Sequence, residues 1–286
     1  MNQGETIERI AAKGDGVTAS GRHVPGSAPG DTVLPDGTLQ PGPHHVDPPC
    51  RHFGKCGGCQ LQQCDDESLA RFVSDRVTNA AEGQGLDPAV VLPPHLSPPR
   101  SRRRATLHAA RMGGRIVIGF REQGSHRIVD LAECHVIAAE LFGMVAPLRK
   151  MLARIGGKLS ADIELALVEQ GVDIAIKGVT VEGLAATEAM LDFARDNGLA
   201  RLTLDQGYGP EAMWEPEPVT VSLSGVSVAY PPGGFLQATA DGQDALATAA
   251  REWLEGAPTV VDLFSGLGTF AFAFAGPSKV LAAEAA

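Results

Sequence analysis

No run of about 18 consecutive apolar residues occurs in the 286-residue chain, which excludes a membrane-spanning helix on length alone. The N-terminus, Met1-Asn-Gln-Gly-Glu-Thr-Ile-Glu8, lacks the basic-then-apolar pattern of a secretory signal. Internal repeats and low-complexity tracts are missing too. Cysteine is scarce: five residues, an odd number that suits a disulfide framework badly. These absences predict a cytoplasmic protein with reduced thiols and no membrane partner. What remains is 44% hydrophobic and 20% charged, the composition of a soluble globular chain with room for two or three domains.

Net charge is −10, which by itself argues against a polyanionic partner. Its distribution argues otherwise. Residues 1–99 carry 7 Lys and Arg against 12 Asp and Glu, and residues 128–286 carry 9 against 21. Residues 100–127 carry 8 arginines against Glu122 alone. Screening confines each charge to about 10 Å, so one arginine patch on an acidic body can hold a polyanion locally. Arg100, Arg102, Arg103 and Arg104 open the patch, and Arg111, Arg115, Arg121 and Arg127 continue it on neighbouring strands. That is the pattern of a phosphate-contacting surface, with a merely solvated basic face as the competing reading.

The chain is organised around Cys50-Arg-His-Phe-Gly-Lys-Cys56-Gly-Gly-Cys59, three thiols in the order C-x5-C-x2-C. Cys134 follows 75 residues later, in Leu131-Ala-Glu-Cys134-His. Three clustered sulfurs plus one distant sulfur are what a tetrahedral zinc or a cubane iron–sulfur centre needs. Ordinary buried thiols are the competing reading, since free cysteine packs as a small hydrophobe.

Ahead of that loop, short strands broken by Pro25-Gly26, Pro29-Gly30 and Asp36-Gly37 suit a small β-barrel, or a flexible arm. After it, Leu69, Phe72, Val73, Val77 and Ala80 recur at helical spacing, with Asp65 or Asp66 as N-cap of a helix over 66–84. Strands are expected near 105–111, 115–120 and 126–131. A helix over 136–155 should break at Pro147. Hairpin strands over 163–168 and 172–177, a helix over 182–197, and strands at 200–205, 219–223 and 226–230 complete an α+β middle.

The last segment changes character. A helix over 241–254 leads to Thr259-Val-Val-Asp-Leu-Phe264, which reads as a buried parallel strand. Ser265-Gly-Leu-Gly268-Thr269 is a glycine turn before a helix, and Val280-Leu-Ala-Ala-Glu284 would be the next strand, ending in a carboxylate. This is the nucleotide-binding half of a doubly wound sheet, with Gly266 and Gly268 letting a cofactor approach the backbone and Glu284 able to accept ribose hydroxyls. Ala271 stands where the third glycine of a dinucleotide fingerprint would be. That disfavours NAD and leaves S-adenosylmethionine as the better candidate; a plain βαβ turn is the alternative.

Cys50, Cys56-Gly-Gly-Cys59-Gln-Leu-Gln62, Cys134, Gly234-Phe-Leu-Gln237 and Asp262-Leu-Phe-Ser-Gly-Leu-Gly-Thr-Phe270 together resemble the uracil-5 RNA methyltransferases that carry a 4Fe–4S cluster. In that family cysteine usually stands at the position of Ser265. The resemblance runs over nearly the whole chain. It implies a TRAM/OB-like β-barrel over 1–47, a central α+β domain with the iron–sulfur loop and arginine patch over 48–230, and the start of a Rossmann-like methyltransferase domain over 231–286. It implies Cys50, Cys56, Cys59 and Cys134 as cluster ligands, with Cys64 a bystander. Gln237, Phe264, Thr269 and Glu284 would surround S-adenosylmethionine. The implied substrate is a uridine of 23S rRNA or tRNA.

That chemistry needs a thiolate that adds to C6 of uracil and a base that removes the C5 proton. In the family both lie well beyond the glycine turn, and no cysteine follows Cys134 here. The resemblance therefore predicts a C-terminally truncated, inactive fragment whose catalytic residues are expected downstream of Ala286. A non-catalytic RNA-binding iron–sulfur module is the alternative, and a zinc-ribbon protein with an unrelated βαβ tail a third reading.

Overall fold

The computed structural model describes residues 4–285, which divide into two compact units, residues 4–96 and 97–285. In the first, β1 (Glu5–Ile10), β2 (Gly16–Thr18), β3 (His23–Val24), β4 (Thr32–Val33) and β5 (Leu39–Gln40) form one antiparallel sheet in the order β3-β2-β1-β4-β5. Prolines and glycines keep the strands short. Ile7, Val17, Ala28 and Val33 supply a small core, each 2% exposed or less. Asp31 is fully buried and accepts from Ala28 N and Gly42 N, both at 2.7 Å, and from His45 Nδ1 at 2.8 Å. A buried carboxylate so satisfied fixes the surrounding loops. A Cβ on Gly42 would stand 2.2 Å from Gly30 O, so only glycine permits that crossing. The Gly- and Pro-rich stretch is thus an ordered sheet and not a flexible arm.

The cysteine loop is stitched to this sheet. Gln63 Nε2 donates to Ser27 O at 3.0 Å, Val46 N to Gln63 O at 2.9 Å, and Cys64 bridges His45. Helix α1 (Asp66–Glu82) follows, and Asp65 is the N-cap, accepting from Ser68 N at 2.9 Å. Its apolar stripe is only partly used: Val73 is 39% and Val77 61% exposed.

The second unit is built on a six-stranded sheet: β6 (Arg104–Met112), β7 (Arg115–Gly119), β8 (Ser160–Val168), β9 (Gly171–Lys177), β10 (Arg201–Asp205) and β11 (Pro210–Trp214), in the order β11-β10-β9-β8-β6-β7. Neighbours are antiparallel except β9 and β10, which are parallel and joined by helix α4 (Leu184–Asp196). Alternation divides the faces. Leu107, Ile163, Leu165, Ile174, Leu202 and Leu204 are buried on one face, the side covered by α4 and by helices α2 (Ala139–Gly143) and α3 (Val145–Arg154). Burying a Leu or Ile side chain contributes about 1.5–3 kcal/mol each, so this face holds the unit together. The opposite face carries Arg104, Thr106, Glu164, Asp173 and Arg201.

Several expectations change. The helix over 136–155 is two helices that meet at Met144; Pro147 lies in the first turn of α3, where its missing N–H costs nothing. Residues 126–131 form no named strand but run along β7, with Val129 N donating to Phe120 O and Leu131 N to Ile118 O. Strand β11 was not expected, because Gly207-Tyr-Gly-Pro210 reads as a turn; Pro210 is tolerated as the first residue of an edge strand.

A hairpin of β12 (Thr220–Leu223) and β13 (Val226–Ala229) leads to helix α5 (Ala240–Trp253), whose N-cap Thr239 accepts from Gly242 N at 3.1 Å. Strand β14 (Thr259–Leu263), helix α6 (Thr269–Phe274) and strand β15 (Lys279–Ala283) follow, with β14 and β15 paired in parallel. Their core is Ala247, Val260, Ala273 and Phe274. Among the described residues no helix is long and apolar enough to cross a membrane.

Candidate functional site

The turn from β14 to α6 holds three residues in the left-handed region. Gly266 has φ +54° and Gly268 φ +94°, and Phe264 between strand and turn has φ +59°, a region that costs a side-chain-bearing residue. A Cβ on Gly268 would fall 2.8 Å from the Phe272 ring, whereas one on Gly266 would meet nothing within 4 Å. Gly268 is therefore needed for packing, and Gly266 faces open space. Ser265 N donates to Ala283 O at 3.2 Å, Gly266 N to Glu284 Oε2 at 2.6 Å, and Ala271 N to Asp262 Oδ2 at 3.0 Å. The parallel pairing brings the carboxylate at the end of β15 onto the glycine turn. Phe264, 84% exposed, lies beside it, and Thr269 opens α6.

Gln237 reaches this region through its neighbour. Leu236, 2% exposed, belongs to a cluster with Val221, Leu223 and Tyr230, against which Leu267 and Phe272 pack. The backbone of Gln237 is held by Arg103, whose Nε donates to Gln237 O at 3.1 Å and whose Nη2 donates to Gln243 Oε1 at 2.7 Å. Burial pushes the Arg103 pKa down, with Asp244 and Tyr230 opposing.

The arginine patch accordingly splits. Arg103 ties the start of β6 to the Gln237 segment and to α5. Arg111 Nη2 donates to Leu152 O and Ile155 O at the end of α3. Arg104 is half-buried, its guanidinium 4.7 Å from the centre of the Phe235 ring. Arg100, Arg102, Arg115, Arg121 and Arg127 are exposed. Two concavities open on the polar face of the central sheet. One, about 660 Å³, is bounded by His108, Arg121, His126, Arg127 and Asp162. The other, about 290 Å³, is bounded by Arg102, Arg104, Thr106, Glu164, Asp173 and Tyr230. Beneath it Arg201 donates to both Asp173 oxygens, at 3.0 and 2.9 Å, and to Tyr230 O at 3.0 Å. Burial pushes the Asp173 carboxyl up against the pull of Arg201, and pushes the Tyr230 hydroxyl up to about 12. Glu164, Asp173 and Arg201 carry no sequence motif; only strand register gathers them.

In the first unit, Cys50 and Cys56 are buried and Cys59 half-buried. Gly58 N donates to Cys56 Sγ at 3.5 Å and Gln62 Nε2 to Cys59 Sγ at 3.1 Å. Such N–H···S contacts favour thiolates, so the donor chemistry fits a thiophilic centre. The side chains do not converge on one: among the described residues no group of three or more His, Cys, Asp or Glu could hold a metal ion. Cys134 lies half-buried in the second unit. Burial, with Asp31 and Asp65 adding, pushes the Cys64 thiol up to about 12, so as a free thiol it stays protonated and is a poor nucleophile at neutral pH.

No family model matches the chain. Over 279 residues, 97% of the chain and 70% of the relative, it is 45% identical to an uncharacterized RNA methyltransferase of Zymomonas mobilis. The chain belongs to the RNA methyltransferases. A second such methyltransferase, from Rhizobium meliloti, is 33% identical over 98% of the chain and 71% of its own length. A 23S rRNA (uracil(1939)-C(5))-methyltransferase of Pectobacterium atrosepticum is 28% identical over 81% of the chain and 53% of its own length. The fold is similar to that of Pyrococcus abyssi tRNA (uracil-54, C5)-methyltransferase, solved with S-adenosyl-L-homocysteine: TM-score 0.68 at 20% identity, covering 99% of this chain and 79% of that one. In this RNA methyltransferase the glycine turn and the arginine-lined sheet face lie in one compact unit.

Proposed function

We propose that the chain serves S-adenosylmethionine-dependent methylation of uracil C5 in cytoplasmic RNA, either 23S rRNA or tRNA. The observation that carries this reading is the Glu284 carboxylate on the Gly266 N–H, a ready acceptor for ribose hydroxyls beside a backbone that a ligand can approach. Phe264 offers an exposed ring for an adenine, and Gln237 and Thr269 complete the donor side. Bound S-adenosylmethionine would supply an electrophilic methyl group. The exposed Arg100 and Arg102 would take RNA phosphates, with Arg104 lining the cavity beside them, and Arg103 holds the Gln237 segment in place behind them. The segments 1–47, 48–230 and 231–286 would act as RNA-gripping barrel, central domain and donor-binding start.

Methylation at C5 needs a thiolate that bonds to C6, transfer of the methyl to C5, loss of the C5 proton to a base, and departure of the thiolate. No cysteine follows Cys134, and Cys64 is held protonated. These 286 residues therefore provide donor and RNA binding without a nucleophile, and by themselves should not methylate. Cys50, Cys56, Cys59 and Cys134 would ligate a [4Fe–4S] cluster that fixes structure; no chemical step passes through it.

The test is calorimetry with S-adenosyl-L-homocysteine, a methylation assay on unmodified RNA, and iron analysis of anaerobically purified chain. Binding of S-adenosyl-L-homocysteine that disappears in Glu284→Ala is expected, without methyl incorporation and with about four irons per chain. RNA binding without any S-adenosyl-L-homocysteine binding would instead favour the non-catalytic module. Uridine methylation by this chain, or an iron-free preparation, would overturn the corresponding part.

A further inference from the structure

The polar face of the central sheet carries a site that the glycine turn does not use. Register sets Thr106, Glu164, Ala175 and Thr203 in one row across β6, β8, β9 and β10, and Arg104, Ala166, Asp173 and Arg201 in the next. At Ala166 and Ala175 the side chains are too short to fill the face, and the 290 Å³ cavity opens there between flanking charges. Its rim is a fixed loop: Tyr230 Oη donates to Gly234 O at 2.7 Å, and a Cβ on Gly234 would stand 2.8 Å from the Tyr230 ring.

Two wall groups keep hydrogen-bonding capacity beyond the partners they have, the Arg104 guanidinium lying over the Phe235 ring and Glu164 pairing with Lys177. Arg104 Nε is covered and has no hydrogen-bond partner. Glu164 accepts from Lys177 Nζ through Oε1 at 2.7 Å, while its Oε2 lies toward Gly233. Arginines around the opening disfavour a cation, and Glu164 and Asp173 disfavour an anion. A flat, neutral ligand with donors on one edge and acceptors on the other satisfies both walls.

Among RNA bases this chemistry singles out one. A carboxylate only accepts. Guanine alone presents a ring N–H and an amino group side by side on its pairing edge, with O6 and N7 as acceptors for arginine. Uracil offers one N–H between two carbonyl oxygens, which a carboxylate repels. Adenine and cytosine set their amino group beside an acceptor nitrogen.

We infer that this cavity is a subsite for an unstacked guanine of the substrate RNA, Glu164 taking its paired donors and Arg104 its face or acceptor edge. The inference rests on the RNA reading above. It is tested by fluorescence anisotropy of the full chain with an all-uridine RNA octamer and a set in which one guanosine is walked through the positions. The best-placed guanosine should tighten binding about tenfold, and inosine in its place, lacking the amino group, should forfeit most of that gain. Glu164→Gln should abolish the preference; Lys177→Met, which removes the same ion pair from the other side, should retain it. Equal binding of all octamers would overturn the subsite and leave RNA binding standing. Failure of every octamer to bind would overturn both. Free 5′-GMP binding as tightly as the best octamer would refute placement within an RNA strand.

Discussion

Two of the three sheets of the second unit, the six-stranded one and the β14–β15 pair, treat their exposed surfaces in opposite ways. The six-stranded sheet hides its aliphatic side chains under helices and carries its charges on the other face, with Arg201–Asp173 buried at the base of a cavity and Lys177–Glu164 reaching water. The β14–β15 pair shows water its aliphatics: Val261 is 54%, Leu263 64% and Leu281 61% exposed, on strands with a single hydrogen-bonded neighbour each. A charged open face is stable as it stands and invites a ligand. An apolar open face contributes little until something covers it.

Breaking the charge pairing should cost most. Asp173→Ala leaves the Arg201 guanidinium buried without its partner and should destabilise the unit by about 3–5 kcal/mol in denaturant titration, whereas Asp173→Asn, which keeps one acceptor, should cost less. Truncating equivalent aliphatics sharpens the contrast. Leu165→Ala on the covered face should cost about 2–5 kcal/mol, while Leu263→Ala on the exposed pair should stay within about 0.5 kcal/mol. Equal losses would mean that the pair is covered in solution.

The smallest effect is one of pH. Burial raises the Tyr230 hydroxyl from 10.0 to about 12, so the folded chain holds a proton that the unfolded chain releases. The neutral hydroxyl's contribution is fully present below pH 10 and is lost as pH rises toward 12. The Tyr230 share of the slope should be at most about 1.4 kcal/mol per pH unit and should vanish in Tyr230→Phe, leaving the share of the buried Cys64 thiol. Unfolding curves in a Tyr208→Phe background, where Tyr230 is the remaining tyrosine, measure it.

Strand alternation made β6, β8, β9 and β10 legible in the sequence, and a glycine turn between apolar runs made β14 and β15 legible. Position-specific roles were not. Arg103 and Arg104 are adjacent in one run, yet the first is locked onto Gln237 O and Gln243 Oε1 and the second lies over Phe235. Which partner each meets depends on chain 131 to 140 residues distant. The periodicity that predicted α1 could not say that Val77 would stay in water. The Glu164 cavity was invisible because no short motif spells out a row that crosses four strands.

Opposite faces of a strand belong to odd and even positions, and β8 pairs Arg104 with Ala166 and Ala105 with Leu165. Insertion of a single amino acid early in β8 would therefore turn its carboxylate toward the helices and offer leucine to the solvent. The recognition surface of this sheet is thus written in parity, and a reading-frame-preserving indel there would erase it more thoroughly than any substitution.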